Sequence, residues 1–152
     1  MIWTAIVAVA AAVTAAVAIY EFWWKRPRIE VSFAQFGRRT LQLTAQMKRG
    51  RPVTLHRVGV RLRDGTRQTL RHFRPYGDMK ELPYELKPGD RADVALDTNE
   101  LHNWLVATNR GERDVELTFY FEDGAGAHYD LRKWAVASAE RRTIDALPVR
   151  ST

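Results

Sequence analysis

The sequence predicts a mainly β protein, in which an N-terminal transmembrane helix precedes an antiparallel β-sandwich with one short inserted helix. Three observations predict it. Residues Ile2 to Tyr20 form an unbroken apolar run without a charge. Beyond it, apolar and polar residues alternate with period two between turn-forming Gly, Pro and Asp clusters, the pattern of half-buried strands. One segment near residue 100 changes to the helical spacing i, i+3, i+4.

The apolar run comes first. About 19 helical residues at roughly 1.5 Å each span close to the 30 Å hydrocarbon core of a bilayer. Trp3 stands at one end and Tyr20, Phe22, Trp23 and Trp24 at the other, as aromatic belts do at two interfaces. Lys25, Arg26 and Arg28 follow. A cleaved signal sequence would carry its basic segment ahead of the apolar stretch; here only Met1 precedes it. The positive-inside rule then predicts the N-terminus outside and the C-terminal domain in the cytoplasm. Trp3, Tyr20, Trp23, Trp24, Lys25, Arg26 and Arg28 are the expected membrane anchor. Ala8, Ala12 and Ala16 recur every four residues, a spacing that lets two helices approach closely in lipid, so they are a candidate helix-packing face. Pro27 is expected to end the helix and set an extended exit.

The strands follow in order. Ile29, Val31 and Phe33 alternate with Glu30 and Ser32; Leu41, Leu43 and Ala45 with Gln42 and Thr44; Val58, Val60 and Leu62 with Arg57, Arg61 and Arg63; Val115, Leu117, Phe119 and Phe121 with Glu116, Thr118 and Tyr120. Asp64-Gly65 predicts a hairpin from Val53–Arg63 into Arg67–Phe73. Asp123–Gly126 predicts another, from Val115–Phe121 into Ala127–Trp134, and Arg91–Leu96 follows the Pro88-Gly89 turn. Phe36-Gly37 and Pro75–Asp78 read as further turns. Seven short strands of this kind predict a sandwich.

The inserted helix starts at Asp97 or Thr98, with Glu100 placed for a capping box. Leu101, Trp104 and Leu105 share its apolar face, and Asn109-Arg110-Gly111 supplies the stop. The expected division is 1–24 transmembrane helix, 25–27 juxtamembrane linker, 28–137 sandwich and 138–152 a C-terminal tail without strand alternation.

Three stretches, in this order, resemble a small immunoglobulin-like domain of bacteria and their phages: Pro52–Gly65, Leu82–Asp90 and, after the helix, Phe119–Gly126. The resemblance covers residues 28–135. It implies an immunoglobulin-like fold with a binding or structural role, and it carries no catalytic residues.

Charge is polarised along the chain. The formal net charge is +6, yet residues 48–74 hold nine basic groups against Asp64 alone, whereas residues 75–152 hold ten basic and fifteen acidic groups. Arg57, Arg61, Arg63, Arg67 and Arg71 are therefore the candidate binding surface: on facing strands they crowd one sheet face and call for a compensating anion. That anion is expected to be lipid headgroups or an acidic or membrane protein partner; the chain's own acidic half is the competing source. Nucleic acid is disfavoured because Phe73 and Tyr76 follow no stacking motif. A homo-oligomer through the transmembrane helix is a further option.

No catalytic chemistry is legible. There is no cysteine, hence no disulfide framework and no Cys-based zinc site. His56, His72, His102 and His128 lack metal-ligand spacing, although His56 and His72 are candidates to meet across the first hairpin. Asp123 and Asp130 read as turn residues. No cofactor is expected. The expected function is that of a non-enzymatic, single-pass membrane adaptor or structural accessory protein; the alternative is a phage- or prophage-type membrane effector acting through the alanine-rich helix.

Overall fold

A computed structural model describes residues 1–36, 39–73, 79–108, 110, 113–138 and 143–146. Helix α1 spans Ile2–Lys25, 24 residues, and strands β1 (Arg28–Phe36) and β2 (Thr40–Arg49) follow it. After β3 (Val53–Leu62) come β4 (Arg67–Leu70), β5 (His72–Phe73), β6 (Tyr84–Leu86) and β7 (Arg91–Asp97). Helix α2 (Thr98–Ala107) leads to β8 (Val115–Asp123), β9 (His128–Asp130), β10 (Ala135–Ser138) and β11 (Thr143–Ala146).

The chain is mainly β, and its strands form two antiparallel sheets. The first has the order β1-β2-β7-β5; the second runs β11-β10-β8-β3-β4, with β6 added to β3 and β9 to β8. Alternation dictates what each sheet buries. Leu41, Leu43, Ala45 and Met47 from β2 and Ala92, Val94 and Leu96 from β7 face Val58, Val60 and Leu62 of β3 and Leu117, Phe119 and Phe121 of β8 in one core. Phe33 meets Phe119 across the gap with ring centroids 5.8 Å apart. Inside β3 a bulge between Leu55 and Arg57 adds one residue, so that Leu55 and Val58, three apart, both reach the core.

Four expectations are corrected. The predicted strand Arg67–Phe73 breaks at Arg71. Leu70 pairs with Val58 in the second sheet, but His72 pairs with Leu96 in the first, so the chain changes layers between them. The Glu100 carboxylate accepts the Arg71 N–H at 3.3 Å, and His72 Nε2 accepts the Leu82 N–H at 3.0 Å, which pins the crossing on both sides. Glu100 thus reaches across the fold instead of closing a capping box. Ala127–Trp134 is strand only over His128–Asp130, and the chain pairs with β8 again from Ala135. The segment taken as a tail supplies β11, whose Ile144 is buried and whose N–H is held by Gln35 Oε1 at 2.7 Å. All four of its residues pair with β10, from Thr143 opposite Ser138 to Ala146 opposite Ala135, too short a run for alternation to register.

Helix α2 is where the sequence placed it. The Asp97 carboxylate accepts the Asn99 N–H at 2.9 Å, Leu101 and Leu105 are buried, and Trp104 packs half-buried against the core. The turn at Gly37, that at Pro75–Asp78 and the helix stop at Asn109 and Gly111 lie outside the described residues, as does most of 138–152.

The register fixes two poles. Arg28 lies opposite Arg49, Gln46 opposite Arg91, Val53 opposite Leu86 and Leu55 opposite Asp123. The turns Gly50–Pro52, Lys87–Asp90 and Asp123–Gly126 therefore gather at the pole where α1 ends. The Asp64-Gly65 turn and α2 lie at the opposite pole, about 30 Å away along the ten residues of β3 at roughly 3.3 Å each.

Candidate functional site

Helix α1 is long and apolar enough to cross a membrane, and none of its residues is buried in the protein. Its polar hydroxyl at Thr14 is satisfied by the Ala10 carbonyl at 2.8 Å. Trp3 is 80% exposed at one end and Trp23 62% exposed at the other. Tyr20 and Trp24 stack at 5.8 Å, and the Arg49 guanidinium lies 5.7 Å from the Trp24 ring centroid. Lys25 pairs with Glu21 at 3.2 Å one turn back. Ala8, Ala12 and Ala16 are exposed and follow one another at a turn's spacing.

The helix joins the β body through a built contact rather than a loose linker. Arg26 is extended (φ −66°, ψ 126°), as the residue before Pro27 must be. The Arg51 N–H donates to the Lys25 carbonyl at 3.2 Å, which satisfies one of the carbonyls a helix end leaves open. Gly50 makes this possible. Its φ is +107°, and a Cβ there would stand 2.6 Å from Pro27 Cα and 2.8 Å from the Arg26 carbonyl oxygen. Around this joint Arg28 and Lys48 share Glu30 at 3.8 and 3.7 Å. In the sequence, Arg49-Gly50-Arg51-Pro52 carries only the signal of a turn. The missing signal is the β1–β2 register, which alone brings that turn under the helix.

The five arginines of the candidate surface do not form one patch. Arg57, Arg61 and Arg67 project from the outer face of the second sheet, and Arg61 stands directly opposite Arg67. Asp130 offsets that like-charge pairing through a 2.8 Å contact to Arg61. Tyr120 lies between them, over Gly59: a Cβ on Gly59 would come within 2.5 Å of the Tyr120 hydroxyl. The Tyr120 ring stacks on His128 at 4.3 Å. Arg63 sits at the far pole, paired with Glu116 at 2.6 Å and 3.8 Å from the Trp134 ring centroid. Arg71 has left the sheet altogether. So the acidic half of the chain supplies partners for Arg61 and Arg63, while Arg57, Arg67 and Arg71 are exposed and make no ion pair among the described residues.

The remaining titratable groups stabilise the body. Burial, then the hydrogen bond to Asp123 at 3.0 Å, pushes the Tyr129 hydroxyl up to about 12. The Tyr84 hydroxyl donates to Asp90 at 2.7 Å, which raises the tyrosine and holds the Asp90 carboxyl below its ordinary value. Burial opposes the charge on Asp93, but hydrogen bonds from Thr44 and Arg91 outweigh it and hold that carboxyl low as well. His56 lies beside Gly124 at the helix-side pole, whereas His72 is on the other sheet, so the pair does not meet. Among the described residues no group of three His, Asp or Glu side chains is placed to hold a metal ion. No protein-family model, curated protein or solved structure matches the chain.

Proposed function

We propose that this chain is a non-enzymatic, single-pass membrane accessory protein that holds an immunoglobulin-like sandwich at the cytoplasmic face of a membrane. The observation that carries the reading is α1: a 24-residue apolar helix, exposed all round, whose end is locked into the β body at Gly50 and Arg51. A helix with no protein surface to bury against takes lipid as its solvent. Strand order supports the domain type. Lettered along the chain, β1, β2, β7 and β5 are A-B-E-D, and β10, β8, β3 and β4 are G-F-C-C′, the two-sheet order of immunoglobulin-type sandwiches. The Lys25, Arg26 and Arg28 cluster favours a cytoplasmic body.

The exposed Arg57 and Arg67 suit an acidic protein partner better than headgroups, because the Arg67 end of that face points away from the pole at which α1 leaves the body. Alkaline carbonate extraction of cells expressing the full chain tests the anchoring: the protein stays with the membrane pellet, and its release into the supernatant refutes the reading. The second reading, an effector working through α1, rests on the exposed Ala8, Ala12 and Ala16. Replacing all three by Leu would then abolish self-association in detergent or any toxicity on expression.

A further inference from the structure

We propose that the joint between α1 and the β body is a binding site for the phosphate of one anionic phospholipid. The inference rests on α1 spanning the bilayer, but not on what the β body binds. A groove of about 530 Å³ lies between the end of the helix and the β2–β3 turn. Its lining is ordered along the helix. Ala18 and Phe22 give an apolar floor, Glu21 is occupied by Lys25, and Lys25, Arg26 and Arg51 surround the upper end against Pro27. From Ala18 to Lys25 the helix rises about 10 Å, the distance over which a bilayer passes from acyl chain to headgroup.

Three cations against one carboxylate leave the groove with an excess of positive charge. A molecule carrying an apolar tail below a phosphate whose charge no ammonium of its own neutralises matches both the order of the lining and its depth. The third cation is what makes this a site instead of an ordinary stop signal. Arg51 belongs to the β2–β3 turn, and its own N–H bonded to the Lys25 carbonyl fixes it over the groove. Gly50, which tolerates no Cβ against Pro27, keeps the turn that close. Arg49, from the same turn, lies over the Trp24 ring and does not line the groove, so Arg51 alone brings charge to it from the β body.

The test is native mass spectrometry of the detergent-solubilised full chain titrated with phosphatidylglycerol or phosphatidylcholine. One phosphatidylglycerol is expected to bind at least about fivefold more tightly than phosphatidylcholine, and Arg51→Gln and Arg26→Gln each to remove about fivefold of that preference. Arg67→Gln, at the far end of the body, should keep it. Equal binding of the two lipids, or a preference that Arg51→Gln leaves intact, overturns the site; competition by inorganic phosphate at millimolar level overturns the lipid as its occupant. None of these failures would release the protein from membranes, so they are distinct from a failure of the anchor.

Discussion

Gly50 occupies a conformation that L side chains rarely adopt and a space that no Cβ fits, and both constraints arise because the turn beneath the helix must touch Pro27. Gly50→Ala is expected to destabilise the full chain by about 1–3 kcal/mol, read as a lowered midpoint of chemical unfolding in detergent. Ala substituted at Gly65, where nothing lies within 4 Å, tests backbone strain without the clash and should cost less. Tyr129 gives the molecule an alkaline limit. Its folded value near 12 lies above the ordinary 10, so its contribution to stability is complete below pH 10 and is lost as the pH rises through 12. Unfolding followed across that window should show a fall in stability that Tyr129→Phe reduces; an unchanged slope in the variant contradicts the assignment. Residues whose role is set by near neighbours were legible in the sequence: Asp97 as a helix cap, Pro27 as a stop. Gly50 and Tyr120 were not, because what they touch lies on elements far away in the chain.

Among the elements, the strands with a full alternating run were legible, and β8 is the clearest case. Leu117, Phe119 and Phe121 face the core on the period the sequence shows; of the residues between them Glu116 is exposed, whereas Thr118 and Tyr120 are covered on the other face of the sheet, Thr118 by its bond to the Leu131 carbonyl and Tyr120 by His128. Phe119 is fully buried and bridges the sheets to Phe33. Phe119→Ala should therefore cost about 3–5 kcal/mol of unfolding free energy, whereas Tyr120→Phe, which keeps the stack on His128, should cost much less. Elements of two to four residues were legible only beside a turn signal, as β4 is after Asp64-Gly65 and β9 after Asp123–Gly126, since two or three alternations do not separate strand from loop. β5 and β6 exist because a longer neighbour offers an open edge, and β11 because the equally short β10 does, not because their own residues demand it. The same cause split the predicted Arg67–Phe73 strand. Alternation is blind to which sheet a residue joins, and it is Leu96 and Glu100, some twenty-five residues on, that draw His72 into the other layer and hold Arg71 at the crossing.

At the scale of the whole molecule, antiparallel order turns a polarised sequence into a polarised body. Lys25, Arg26, Arg28, Lys48, Arg49 and Arg51 come from two stretches separated in the chain, and the β1–β2 register collects them at the helix end. Arg61 and Arg63, from the same basic segment, are carried along β3 toward the far pole, where Asp130 and Glu116 meet them. Net charge by segment predicted a basic surface, but it does not tell which arginines the fold brings to the end of α1. The account requires α1 to cross the bilayer with the β body in the cytoplasm. Because the chain has no cysteine, a single thiol reports topology without background. Ser32→Cys, exposed on the outer face of β1, and Ile2→Cys, at the other end of α1, can be probed with a membrane-impermeant maleimide in intact cells. Label on Ile2→Cys in intact cells, and on Ser32→Cys only after permeabilisation, is the predicted result; label on Ser32→Cys in intact cells contradicts it.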